Sequence, residues 1–185
     1  MPRSYRVIPD EGYAYFVTCT VIDNLPLFIE TVYARIILDS LAYTREHKNT
    51  RLNAFVLMST HLHAVLWPKD GINMSDVLRD FKRFTSRSIS RMAQKRGDHN
   101  YLGQFVSARS SGRACDSSEY QVWQEGSHPE AIYGDDFARQ KIEYIHNNPV
   151  KAVLVSKAED WSYSSARAYL LGEPTYPPTD IMPLW

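Results

Sequence analysis

Two strand-like runs, Arg51 to Met58 and His61 to Trp67, are separated by only Ser59-Thr60, and no other stretch limits the possible folds so strongly. A two-residue polar link between β-prone runs is hairpin spacing, so the two should pair antiparallel in one sheet. Upstream, Tyr13 to Ile22 (YAYFVTCTVI) is rich in aromatic and β-branched residues and predicts a further strand, closed off by Pro26. Leu27 to His47 places Val32, Ile36 and Tyr43, with Ile37, Leu38 and Leu41 beside them, at helical spacing until Asn49-Thr50 breaks the run. After the hairpin, Pro68 to Gly71 predicts a turn. Met74 to Lys95 predicts a long helix carrying Val77, Leu78, Phe81, Phe84 and Met92.

Beyond that helix the signals are weaker. Gly97 to Arg113 is glycine- and serine-rich and is predicted as a loop, whose Tyr101 and Phe105 would either pack locally or stand free for stacking. Gln121 to Gln124 and Glu130 to Tyr133 are short strand candidates. Asp136 to His146 predicts a helix capped by Asp135 or Asp136. Asn148-Pro149 should end it, because a residue preceding proline is biased out of the helical region. Trp161 to Leu171 predicts a last short helix. The order β-α-β-β-α-β followed by helix is that of an α+β, ferredoxin-like split-βαβ fold: an antiparallel sheet with helices on one face, plus C-terminal helices. One domain is expected over residues 1–185, with an N-terminal arm at 1–12 and an extended, proline-rich tail at 172–185.

The bulk numbers set outer limits. Lysine plus arginine and aspartate plus glutamate each total 21 among 185 residues, for zero net charge, and 44% of the residues are hydrophobic. This excludes collagen, coiled coil and bulk disorder. No apolar run is long enough for a membrane helix, and no apolar stretch follows the first residues as in a signal peptide. The two cysteines, Cys19 and Cys115, form no CxxC pattern and support neither a disulfide framework nor a thiolate zinc site. A cytoplasmic protein is expected. The zero total hides a split. Arg79 to Arg113 holds nine basic residues against two acidic, a net of +7, whereas Asp116 to Gln140 holds one basic against six acidic, a net of −5. Within the basic part, Arg79, Arg83, Arg87, Arg91 and Lys95 recur every fourth residue, drifting about 40° per step into a gently sloping stripe with Lys82 and Arg96 beside it. Acidic partners at i±4 are missing, which favours phosphate contact over a merely solvated face. Arg109 and Arg113 join the stripe as candidate DNA contacts.

Two segments offer chemistry. On a strand, His61 and His63 point to one face while Leu62 points to the other, so the imidazoles can share a divalent metal or simply lie on a polar surface. In Glu143-Tyr144-Ile145-His146-Asn147-Asn148-Pro149-Val150, Tyr144 and Asn148 share a helical face. A tyrosine hydroxyl can attack phosphorus and an asparagine oxygen can complete a metal shell, although a packing tyrosine and capping asparagines are the simpler account of this segment alone. His146 points away from Tyr144, Asn147 stays an alternative to Asn148, and Glu143 is as well explained as a solvated carboxylate.

Together, His61-Leu62-His63 and Tyr144-Ile145 with Asn148-Pro149-Val150-Lys151 resemble the HUH single-strand DNA nucleases, and most closely the REP-associated tyrosine transposases. Val122-Trp123-Gln124 with Glu130-Ala131-Ile132, and Asp160-Trp161-Ser162-Tyr163-Ser164-Ser165, are similar to further segments of that family, so the resemblance spans about Tyr13 to Leu171. It implies the HUH fold and a metal-dependent single-strand DNA endonuclease and strand transferase acting beside palindromic hairpins in DNA transposition. It implies Tyr144 as the nucleophile forming a 5′-phosphotyrosine, and His61, His63 and Asn148 as ligands of Mg²⁺ or Mn²⁺. The implied partner is single-stranded or hairpin DNA, with no nucleotide cofactor and no membrane, the protein acting as a monomer or homodimer. One departure is visible: Ser59-Thr60 stands where many relatives carry Pro-Asn or Pro-Glu. The alternatives are a hairpin-DNA-binding regulator with an idle site, another HUH enzyme such as a replication initiator or relaxase, and a plain metal-binding ferredoxin-like domain.

Overall fold

The computed structural model describes residues 12–69, 71–111, 119–126 and 128–182. Of the expectations above, the arm up to residue 11, Arg113 and Cys115 lie outside the described residues. The strands are β1 (Tyr15–Thr20), β2 (Thr50–Leu57), β3 (His61–Pro68) and β4 (Glu130–Ala131). The helices are α1 (Thr31–His47), α2 (Met74–Arg96), α3 (His99–Ser111), α4 (Asp135–Lys151) and α5 (Ala166–Leu171). The strands form one antiparallel sheet in the order β2-β3-β1-β4, so β1 and β2 flank the strand that follows them, as a split βαβ unit requires.

Alternation along the strands divides the sheet into two chemical faces. Tyr15, Val17 and Cys19 of β1 and Leu62, Ala64 and Leu66 of β3 join Ile37 and Leu41 of α1 and Leu78 and Phe81 of α2 in the main core. On the other face, Ala54 and Val56 of β2 and Val65 of β3 pack against Ala138, Ile142 and Ile145 of α4. Helices therefore cover both faces: α1 and α2 the one predicted by the split-βαβ order, α4 the other.

Four local expectations change. Helix α4 does not stop before Pro149 but runs through it to Lys151. A helical proline costs about 3 kcal/mol in a helix interior. Burying Ile142 and Ile145, both at 0% exposure, stabilises this helix by about 1.5–3 kcal/mol per side chain, and that offsets the cost. The predicted loop after α2 is largely helix α3: Tyr101, Phe105 and Ala108 fall at helical spacing and pack on the core, Phe105 fully buried. Gly97 at φ +72° ends α2 and sets the new direction. The last helix is confined to Ala166–Leu171. Finally, the tail turns back on the sheet. Asp180 accepts from the Leu52 amide through its side chain at 3.1 Å, donates its own N–H to Leu52 O at 2.8 Å, and pairs with Arg45 at 2.7 Å. With the Ser165 N–H donating to Phe55 O at 3.0 Å, this covers the outer edge of β2.

Candidate active site

The histidine pair is set by sheet register. Strand β3 lies between β1 and β2, with His63 opposite Thr18 and Val56, and His61 opposite Thr20. Leu62 enters the main core, so both imidazoles face α4, their centroids 4.6 Å apart. His63 Nδ1 is 2.8 Å from Thr18 Oγ1, and His61 Nδ1 is 2.8 Å from Thr60 Oγ1. Each ring is thus held by a hydroxyl on one nitrogen, leaving Nε2 as the remaining donor atom. Phe16 stacks on His63 at 5.4 Å.

Burial drives the titration of the pair. His63 is only 6% exposed. Burial first, then the charges of His61 and Lys141, pushes its pKa down to about 3. Burial also lowers that of His61. Both rings stay neutral at pH 7, the form in which imidazole ligates metal.

Helix α4 crosses this face and brings Tyr144 to the pair. The Tyr144 hydroxyl lies 3.5 Å from His63 Nε2, its ring edge-on to Phe16 at 5.9 Å. At 40% exposure the phenol remains open to a substrate. Lys151 Nζ sits 5.5 Å from the centre of the Tyr144 ring. Lys141 Nζ pairs with Glu130 at 2.6 Å and lies 4.5 Å from the Phe16 ring centre. Because α4 continues past Pro149, Asn148 is a helical residue one turn after Tyr144, half-buried and on the same helical face.

Among the described residues, no group of three or more His, Cys, Asp or Glu side chains is placed to hold a metal. A metal at the histidines would need an amide oxygen or substrate oxygens to complete its shell; Asn148, one helical turn after Tyr144, is the amide on that side of α4. The other helical candidates turn elsewhere. Glu143, His146 and Asn147 line a cavity toward Ala158 and Tyr169, and buried His146 meets Ser165 Oγ at 2.8 Å. Asn147 and Glu143 thus line that cavity rather than the histidine pair.

No family model matches the chain, and no curated protein matches it in sequence. Among solved structures it is similar to a REP-associated tyrosine transposase bound to a REP hairpin, at 20% identity and a TM-score of 0.66. The match covers 98% of this chain and 94% of that one. The chain has the fold of a REP-associated tyrosine transposase. The α+β, antiparallel architecture read from the strand order is therefore present.

On that transposase fold, the expected DNA-contact residues lie away from Tyr144. Helix α2 packs on the opposite face of the sheet. Arg79 is held by Asp76 at 2.6 Å and Asp80 at 3.5 Å, and Lys82 donates to Gln124 O at 3.2 Å. Arg83, Arg87, Arg91 and Lys95 are exposed. Arg109 lies in the last turn of α3. Tyr101 stands edge-on to Tyr33 at 5.9 Å and Phe105 is core, so neither is a free stacking platform. Sequence reasoning missed Thr18, Thr60, Phe16 and Lys141. The two threonines had a signal: Thr18 alternates with Phe16 on a strand, and Thr60 directly precedes the first histidine at the departure from the family pattern.

Proposed function

We propose that this chain is a single-strand DNA strand transferase that acts beside hairpins through a covalent tyrosine. The observation that carries the reading is the Tyr144 phenol 3.5 Å from His63 Nε2, on a face where both imidazoles are neutral and held by their Nδ1 atoms. The solved transposase of the same fold is bound to a REP hairpin, which supports DNA of that kind as the substrate.

In this reading the Tyr144 oxygen attacks the scissile phosphorus and its proton leaves to water. The bond from phosphorus to the 3′ oxygen breaks, giving a 5′-phosphotyrosine and a free 3′-hydroxyl. That hydroxyl can reverse the step or attack a second junction, so strand transfer needs no ATP. His61, His63 and Asn148 would hold Mg²⁺ or Mn²⁺, which supplies charge compensation at the phosphate. A phenol ordinarily titrates at about pH 10, so unaided attack at neutral pH is slow.

The test uses single-stranded hairpin oligonucleotides from the flanking genomic sequence, with Mn²⁺ present. A covalent protein–DNA band is expected, absent in Tyr144→Phe and in EDTA. A band that persists in Tyr144→Phe refutes the nucleophile. Hairpin binding with no covalent product under any of these conditions favours the idle-site regulator.

A further inference from the structure

On the face of the sheet turned away from Tyr144, α1 and α2 leave a groove of about 720 Å³. Its floor is apolar, with Ile36, Val77 and Phe81. Tyr43 and Phe84 also line it, yet they are 55% and 62% exposed. Scattered exposed aromatics are ordinary; two bordering one cleft are a surface shaped to receive something.

The charges around the groove say what. Its two carboxylates are already occupied. Asp39 is paired with Arg35 at 2.8 Å and accepts the Tyr176 hydroxyl at 2.6 Å, and Asp80 is paired with Lys48 at 3.0 Å and Arg79 at 3.5 Å. Arg83 and Arg87, also on its wall, are exposed and form no ion pair among the described residues. The uncompensated charge of the groove is therefore positive. Arg91 and Lys95 carry the same row onward, each step about 6 Å along the helix axis, a spacing an extended sugar-phosphate strand can follow. The row leads toward the histidine end of the sheet. There Arg96 meets Glu30 at 3.2 Å, and the adjoining Phe28 N–H donates to Ser59 O at 2.9 Å, two residues before His61.

We propose that this groove is a second site for single-stranded DNA, separate from the Tyr144 face, with a base stacked on Phe84 and phosphates on Arg83 and Arg87. The choice of DNA rests on the function proposed above. Stacking on an aromatic tolerates any base, and arginine contacts to phosphate make binding salt-dependent. The strand held here would extend past Arg91 and Lys95 to the sheet end where the cleaved strand lies. An acidic protein segment would also suit the apolar floor, but it leaves the cations beyond the groove without a purpose.

The experiment uses the full chain with Tyr144→Phe, so that no cleavage intervenes, and a short fluorescent oligothymidylate read by anisotropy. Phe84→Ala should weaken binding about tenfold, the loss of one stacked base. Phe84→Trp should keep or tighten it. Arg83→Gln with Arg87→Gln should flatten the slope of log K against log salt by about 1.4, two phosphate contacts on a single strand. Unchanged affinity and slope in these variants overturn the proposal. So does self-association of the parent chain, seen by sedimentation, that Phe84→Ala abolishes while oligonucleotide binding is kept. The covalent-product assay on the chain with Tyr144 intact reads the active site independently, so failure of the groove and failure of the nucleophile give different patterns.

Discussion

Replacing Thr18 by valine removes one hydroxyl from behind His63 at nearly constant volume. Strand β1 stays paired with β3 through its backbone, so the sheet itself is not disturbed. What is lost is the 2.8 Å bond to His63 Nδ1, on a ring only 6% exposed. A buried donor left without its partner costs about 1–3 kcal/mol of stability, and in a chain of this length each kcal/mol lowers Tm by about 2–4 °C. The larger consequence is orientational. With Nδ1 released, nothing fixes which nitrogen carries the proton, and Nε2 is no longer reliably the lone pair facing Tyr144. Loss of such an outer hydrogen bond typically lowers metal affinity about 10–100-fold. On the metal-dependent reading proposed above, titration calorimetry with Mn²⁺ on the Thr18→Val protein should show that loss, and Thr18→Ser should recover most of it. A purely structural role for Thr18 would lower Tm and leave the Mn²⁺ affinity alone. Wild-type affinity in the valine variant would refute the claim that Thr18 sets the ligand atom of His63.

Three further outcomes test other parts of the structure. Phe105→Ala should destabilise the protein by about 3–5 kcal/mol in a denaturant melt, because this side chain is fully buried; near-wild-type stability would return α3 to the exposed loop first expected. For His146, burial lowers the pKa to about 4 from an ordinary 6.5. Between those values the unfolded chain binds a proton that the folded chain does not. Stability is therefore retained above pH 6.5 and falls by about 3 kcal/mol as pH drops toward 4. His63 adds to the loss in metal-free protein, so His146→Gln should flatten only part of the acid slope in melts across this range, and an unaltered slope would place its proton elsewhere. Asp180→Ala should lower stability by about 2–3 kcal/mol through the lost bonds to Arg45 and the Leu52 amide, measured by thermal melting, and a neutral result would mean that the tail does not guard β2.

The architecture was readable because the hairpin at Ser59-Thr60 and the helical spacing on either side of it are local signals that tertiary packing reinforced. The placement of His61 and His63 on one face was readable for the same reason: strand alternation alone puts the imidazoles together, and the opposite core claims Leu62, whereas Tyr144 was singled out only by the resemblance of its segment to the transposase family. The failures share a physical cause. Gly103 and Ser107 made the segment after α2 look like a loop, yet both are exposed, while Tyr101, Phe105 and Ala108 bury the face that decides its structure. At Pro149 the local bias against helix was real but smaller than the burial of Ile142 and Ile145. In both places a composition or dipeptide rule lost to the energy of an apolar face.

The same reasoning explains why the charge pattern was legible as a stripe but not as a location. Periodicity on α2 shows which residues share a side of the helix; it does not show which face of the sheet the helix covers. That is decided by the alternation in β1 and β3, which gives the main core to α1 and α2 and leaves the histidine face to α4. The cations consequently lie across the sheet from Tyr144. A single compact patch of contacts around the tyrosine cannot include them, so a strand engaging both proposed sites would pass around the end of the sheet marked by Ser59, Thr60 and Glu30. The row Arg83, Arg87, Arg91, Lys95 runs toward that end, and the neutral total charge of the chain leaves little pull elsewhere to compete with it.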